Sequence, residues 1–233
     1  MKKLIGDFST RDGTIDFYLR VRSILPLSPT VLDLGAGRGS WANEKTIGSK
    51  LHDLRNEGAY VIGVDIDQAV LENHAVDQSF VMQGDTIPLD SESVDVIIAS
   101  WVLEHVENPV TFSSEVNRVL KPGGWFCAVT PHRLNYRSLA AGVLPFKLHI
   151  STLRFLQPRR APEDAFPTFY RMNSINQIQK SFPQYLNRSF IYPSEPGYTF
   201  GSDMMYKLML VAHTFMPVQL YGSIFAFFQK PQT

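Results

Sequence analysis

Five short runs of apolar, largely β-branched residues constrain this chain more than any other feature. They read VLDL (31–34), YVIGVDI (60–66), SFVMQ (79–83), VDVIIAS (94–100) and WFCAVT (125–130). Runs that stay apolar at successive positions suit strands covered on both faces, and the helical stretches between them supply the long crossovers that parallel neighbours need. The expected architecture is an open α/β sheet, mostly parallel, with helices on both faces.

The crossovers carry their own punctuation. In NPVTFSSEVNRVLKPGG, Asn108 is placed to cap, Pro109 takes the first helical position, and Phe112, Val116, Val119 and Leu120 share one face. Pro122, Gly123 and Gly124 stop that helix before the fifth run. Asp67 is the expected cap of another helix over DQAVLEN, and GTIDFYLRVRSIL (13–25) has amphipathic spacing suited to a lid or packing helix.

Composition narrows the class. The chain of 233 residues, 44% hydrophobic and 19% charged, is long enough for one large domain, read as 1–233 with a substantial insertion. Basic and acidic residues balance at 22 each, so overall charge does not mark a nucleic-acid binder. A single cysteine, Cys127, excludes an internal disulfide framework and a multi-cysteine zinc site, and it fits a reducing, cytoplasmic setting. MKKLIGDFSTRDG lacks the apolar stretch of a secretory signal. Residues 208–228 contain no Asp, Glu, Lys or Arg and are long enough to cross a bilayer, but His213, Pro217, Gln219 and Gly222 interrupt them. A core helix ending near Phe215, followed by a buried strand, is expected there.

The first run leads into GAGRGSW. A glycine-rich turn between a buried strand and a helix lets backbone approach a ligand beside the positive end of the helix. That calls for a nucleotide-like ligand; a tight turn without one is the plain alternative. Gly35, Gly37 and Gly39 alternate, so the third glycine falls one place early for a dinucleotide fingerprint, and no ATP or GTP phosphate loop occurs. Asp65 ends the second run, where an acid can accept from both ribose hydroxyls. Asp85, in QGDTIPLD, stands where an adenine amine could be met, or is simply a turn aspartate.

In this order the segments resemble the class I S-adenosylmethionine-dependent methyltransferases, type 11-like. VLDLGAGRG resembles their first motif, VIGVDID the acidic second, GDTIPLDSESVDVIIASWVLEHV the third and fourth, and VLKPGGWFCAVTP the fifth-strand motif. The resemblance spans 31–131 and implies a Rossmann-like, seven-stranded, mostly parallel sheet whose last strand, about 221–228, is antiparallel. It implies S-adenosylmethionine as cofactor, with Gly35, Ala36 and Gly37 against its methionyl part and Asp33 holding its amino group. Asp65 would bind the ribose and Ile66 would lie on the adenine. Asp85 and the Thr86 backbone would read the adenine edge, and Ser100 would face the transferable methyl. GDTIP is two residues shorter than the corresponding loop of many relatives, which bears on Asp85 and Thr86.

Methyl transfer in such a site depends on alignment and exclusion of water, but a hydroxyl acceptor must lose a proton. His105 in SWVLEHV and His132 in TPHRLNY each follow a strand's carboxyl end and are the candidate bases, with Tyr170 a further one; for each histidine a purely structural role is the alternative. No closely spaced His and carboxylate cluster suggests a metal.

Residues 131–190 form a long segment after the fifth run, expected to be a helical cap that selects the acceptor. It has nine basic residues against two acidic ones, a balance of plus seven, with aromatics interleaved. Such a cap would suit a small anionic acceptor, a nucleotide sugar, glycan or phosphorylated metabolite, methylated at oxygen by preference. The same charges admit a membrane surface through SLAAGVLPFKLHISTLRFL and a lipid-linked or quinone acceptor, or a positive face with no ligand. No recognition module for nucleic acid accompanies them. A nicotinamide oxidoreductase and a non-catalytic protein that binds S-adenosylmethionine are the readings from other classes.

Overall fold

The computed structural model describes residues 8–143, 166–196 and 202–232. Eight strands form one sheet: β1 Thr30–Leu34, β2 Tyr60–Asp65, β3 Gln78–Val81, β4 Val94–Ser100, β5 Leu120–Pro131, β6 Leu186–Asn187, β7 Phe190–Tyr192 and β8 Ser223–Gln229. Their order is β3-β2-β1-β4-β5-β8-β6, with β7 also on β8. The strands from β3 to β5 are parallel and β8 runs antiparallel to β5.

Two of the eight strands share one position. Asn187 pairs with Phe228 and Phe190 with Phe225, a single unbroken register along β8. Between them the Arg188 N–H still donates to the Phe227 carbonyl at 2.8 Å, but the Phe227 N–H turns to a side chain, Ser189 Oγ, at 3.1 Å. The expected seven positions are therefore present, with the edge interrupted at Ser189. The segment read as a cap, 131–190, thus returns to the sheet before its end, and its middle, with most of the stretch behind the membrane reading, lies outside the described residues.

The helices are α1 Gly13–Ser23, α2 Ile47–His52, α3 Pro109–Val119, α4 Tyr136–Val143, α5 Ile175–Ser181 and α6 Asp203–Phe215. They cover two faces, as alternation along the central strands shows. Ile97, Ala99, Phe126, Ala128, Ile224 and Ala226 pack with Val116 of α3 and Ile178 of α5. Val96, Ile98, Cys127, Val129, Phe225 and Phe227 pack with Phe17, Tyr18 and Val21 of α1.

Asn108 caps α3 through the N–H groups of Val110 and Thr111, with Pro109 first. Asp67 caps as expected, but only a 3-10 turn over Gln68–Glu72 follows, because Asn73 is drawn away to the first glycine loop. Residues 208–228 divide into the end of α6 and the buried β8. Among the described residues no helix is long and apolar enough to cross a membrane.

Candidate functional site

The carboxyl ends of β1, β2 and β4 open into a cavity of about 710 Å³. Gly35, Gly37 and Gly39 all take positive φ there. A Cβ on Gly39 would sit 2.0 Å from Asn73 Oδ1. Asn73 is buried and its Nδ2 donates to the carbonyls of Ala36 and Gly37 at 3.2 and 3.1 Å. Gly37, by contrast, has nothing within 4 Å of where its Cβ would be, so the loop's open side faces the cavity.

Asp65 fastens the other side of that loop. Its Oδ2 accepts the Gly37 N–H at 2.8 Å and its Oδ1 the Asp67 N–H at 2.9 Å, leaving further lone pairs for a ligand. Ala36, Ile66 and Asp85 line the same cavity, Ile66 exposed. Asp33 and Thr86 lie off its lining: Thr86 bridges Gln83 through backbone, and Asp33 is half-buried. Burial, reinforced by the Asp65 charge, pushes the Asp33 carboxyl up to about 7.

The short loop after β3 is pinned by α3. Glu115 Oε2 accepts the Ile87 N–H at 2.8 Å and pairs with Arg118, whose guanidinium donates to the carbonyls of Ile87 and Leu89. That clamp holds the segment carrying Asp85.

A second cavity, about 550 Å³, adjoins the first, and Trp41, Ser100 and Trp101 line both. Its floor is a row across three strands, since Ser100 pairs with Val129 and Val129 with Phe225. Trp101 has φ of 59°, a left-handed conformation uncommon outside glycine, while its N–H donates to the Val129 carbonyl at 2.8 Å.

Beside that junction the rings of Trp41, His52 and Tyr18 stack, with His52 3.8 Å from Trp41 and 4.1 Å from Tyr18 between centroids. Tyr18 Oη bonds His52 Nε2 at 2.6 Å and Ser100 Oγ at 3.3 Å. Burial drives the His52 pKa down to about 3 and raises that of Tyr18, so both are uncharged near neutrality. Arg22 holds α1 against α2 by donating to the carbonyls of Lys50, Leu51 and Asp53, which keeps this stack in place.

The candidate bases separate. His105 lines the first cavity, with its Nδ1 2.7 Å from the Pro167 carbonyl. His132 is 7% exposed and lines neither cavity; its Nδ1 accepts the Leu134 N–H at 3.1 Å and its ring also meets the Gln219 backbone. This is the geometry of a histidine that braces the turn after β5. Tyr170 also lines neither cavity, and its N–H donates to the Glu104 carbonyl at 3.2 Å.

The family profile described as a methyltransferase domain matches residues 32–128. An uncharacterized methyltransferase of Mycobacterium bovis BCG is 33% identical over 117 residues, 47% of this chain and 42% of the relative. An S-adenosylmethionine-dependent methyltransferase from Methanosarcina mazei has the same fold, with a TM-score of 0.57 at 18% identity over 92% of this chain and 98% of that one. So does a geranyl diphosphate C-methyltransferase from Streptomyces coelicolor solved with geranyl diphosphate and S-adenosyl-L-homocysteine, with a TM-score of 0.56 at 16% identity over 92% and 76%. Over residues 32–128 the chain matches a methyltransferase domain, and its fold is that of these solved methyltransferases. The chain spans about two fifths of the length of the curated relatives it matches.

The glycine loop and Asp65 lie together at the larger cavity. The described lining of the second cavity comes chiefly from α1, the turn before it and the stretch 41–52, with Arg137 the only charged contribution from the basic segment. Tyr18 and His52 were missed because neither falls in a motif. A buried face that includes a tyrosine was the available signal, since a buried phenol needs a polar partner.

Proposed function

We propose that this methyltransferase domain binds S-adenosylmethionine in the larger cavity and passes its methyl to a small polar acceptor in the adjoining one. One observation carries the reading: the two cavities share the wall formed by Trp41, Ser100 and Trp101.

The residues present suit the cofactor. Gly37 leaves open space over the loop, and Asp65 offers a carboxylate at a strand end for the ribose hydroxyls. Ile66 is placed to cover the adenine and Asp85 to meet its edge. Asp33, beneath the loop, would hold the amino group through an intervening contact, and that ammonium would draw its carboxyl back to the charged form. When bound, the cofactor supplies a methyl on a sulfonium, which moves in line to the acceptor as its carbon–sulfur bond breaks.

The chain's contribution is alignment and exclusion of water. Tyr18 and Ser100 form a hydrogen-bonding edge for an acceptor hydroxyl, and the Trp41, His52 and Tyr18 stack keeps the junction apolar and uncharged. This favours oxygen as the methylated atom. Of the two histidines only His105 lines a cavity, the larger one, so a role in taking the hydroxyl proton would require the acceptor to reach across the shared wall.

Calorimetry with S-adenosylmethionine and its demethylated product, beside transfer of labelled methyl into a metabolite extract, tests the reading. Saturable binding lost in Asp65→Ala, with label entering a small molecule, is expected. Absence of binding overturns the cofactor site, and binding without any transfer makes the chain a non-catalytic binder.

A further inference from the structure

The second cavity has polar atoms that nothing in the fold satisfies. Arg11 Nη1, Arg137 Nε and both ring nitrogens of His213 are buried without hydrogen-bond partners, and His213 is 1% exposed. Arg11 and Arg137 line the cavity; His213 is off its lining but in the field of both, stacked on Tyr221 at 4.1 Å.

Leaving such donors unpaired costs about 1–3 kcal/mol each, more for charged groups. One guanidinium nitrogen on each arginine and the two nitrogens of the imidazole, left unpaired by the fold, are therefore a standing cost, and an anion at the arginines would relieve part of it. We propose that Arg11 and Arg137 form a subsite for the carboxylate or phosphate of the methyl acceptor. The inference rests on reading this cavity as the acceptor site, and it names the acceptor's chemistry.

The acids of the same cavity do not cancel the site. Asp12 spends Oδ1 capping α1, accepting from Thr14 and Ile15 at 3.1 Å each. Glu44 is exposed. Glu195 lines the cavity and, like Arg11, is felt by Tyr206, so its charge bears on the same site. Anion binding should therefore tighten when its charge is removed.

The sheet sets a length for the acceptor. Ser100, Val129 and Phe225 are register partners on β4, β5 and β8, so the floor spans about 10 Å at about 4.8 Å between strands. Arg137 follows β5, and Ser194, whose Oγ donates to Ser223 Oγ at 2.8 Å, marks the β8 side. A compact metabolite with its nucleophile and anionic group about that far apart would reach from the junction to the arginines.

The test titrates inorganic phosphate and, separately, succinate into the full chain saturated with S-adenosylhomocysteine, in low-chloride buffer. Saturable binding of at least one is expected, with preference between them showing which anion the site takes. Arg137→Gln and Arg11→Gln should each weaken it at least tenfold while S-adenosylhomocysteine affinity stays within about twofold, and Glu195→Gln should tighten it. No saturable binding, or binding indifferent to both arginine variants, overturns the subsite. Binding that fails to inhibit labelled transfer into the extract overturns its role for the acceptor and leaves the cofactor reading intact; loss of S-adenosylhomocysteine binding in the parent protein is the separate failure of that reading. Should an arginine variant not fold, Arg137→Lys, which keeps charge but loses the planar fork, must still weaken binding.

Discussion

Tyr18 Oη lies 2.6 Å from His52 Nε2, joining α1 to α2 across 34 residues of sequence at the point where the two cavities meet. Removing the hydroxyl in Tyr18→Phe leaves a half-buried imidazole nitrogen unpaired and deprives Ser100 Oγ of a partner. A loss of about 1–3 kcal/mol in denaturant unfolding is expected, with methyl transfer reduced and S-adenosylhomocysteine affinity unchanged. Equal loss of cofactor affinity would show that the stack serves the larger cavity instead.

His52 also links stability to pH. Its folded pKa, pushed down to about 3 by burial, lies below the ordinary 6.5, so between those values the unfolded chain binds the extra proton. The histidine therefore destabilises the fold as pH falls from about 6.5 towards 3 and has no such effect above. In urea titrations His52→Gln should flatten the decline of stability between pH 6.5 and 4.5; an unchanged slope would place the titration elsewhere.

The glycine loop and Asn73 act as one unit, and a double-mutant cycle should show it. Gly39→Ala forces a methyl to within 2.0 Å of Asn73 Oδ1 at a φ of 62°, so it should be strongly destabilising. Asn73→Ala removes the bonds to Ala36 and Gly37 and the one to the Ala75 N–H. Combined, the two should cost less than the sum of their separate effects by about 0.5–3 kcal/mol, because the clash disappears with the side chain. Strict additivity in thermal unfolding would refute this coupling.

How far the sequence revealed all this depended on the range of the contacts. β1, β2, β4 and the later part of β5 were legible because they are apolar on both alternations, β3 through the short run of Phe80, Val81 and Met82, and the Asp65 site because motif and ligand surface are local. β6 and β7 escaped because two- and three-residue strands around Asn187, Arg188 and Ser189 carry no period. The wall made by Tyr18, Trp41 and His52 depends on pairings 34 and 82 residues apart, which no window of sequence displays. The truncated helix after Asp67 has the same origin: its caps read correctly, but Asn73 answers to the distant Ala36 and Gly37 carbonyls.

The Glu115 clamp, at the edge of the larger cavity, offers a test of the loop carrying Asp85. Glu115→Gln keeps the shape but weakens both the ion pair with Arg118 and the bond from the Ile87 N–H. Adenosine-containing ligands should bind several-fold more weakly, with methionine-like fragments unaffected. A uniform loss across both would mean that the clamp supports the whole cavity.

Asp33 sets function against stability. Its carboxyl is pushed up to about 7 by burial and by Asp65, well above its ordinary 3.8, so the folded state holds a proton that the unfolded chain releases. By linkage the unliganded fold loses stability as pH rises from about 4 through 7, the reverse of the His52 contribution. An incoming ammonium reverses the preference, since it favours the carboxylate, so S-adenosylhomocysteine should bind more tightly as pH rises from 6 to 8 and stabilise the protein more at the upper end. Asp33→Asn removes the buried charge: its unliganded melting temperature at pH 8 should exceed that of the parent, while ligand affinity falls and loses its pH dependence over that range. Melting curves at pH 6 and 8, with and without ligand, decide the matter. A variant less stable than the parent at pH 8 would show that the carboxylate is held by favourable contacts and not merely tolerated beneath the loop.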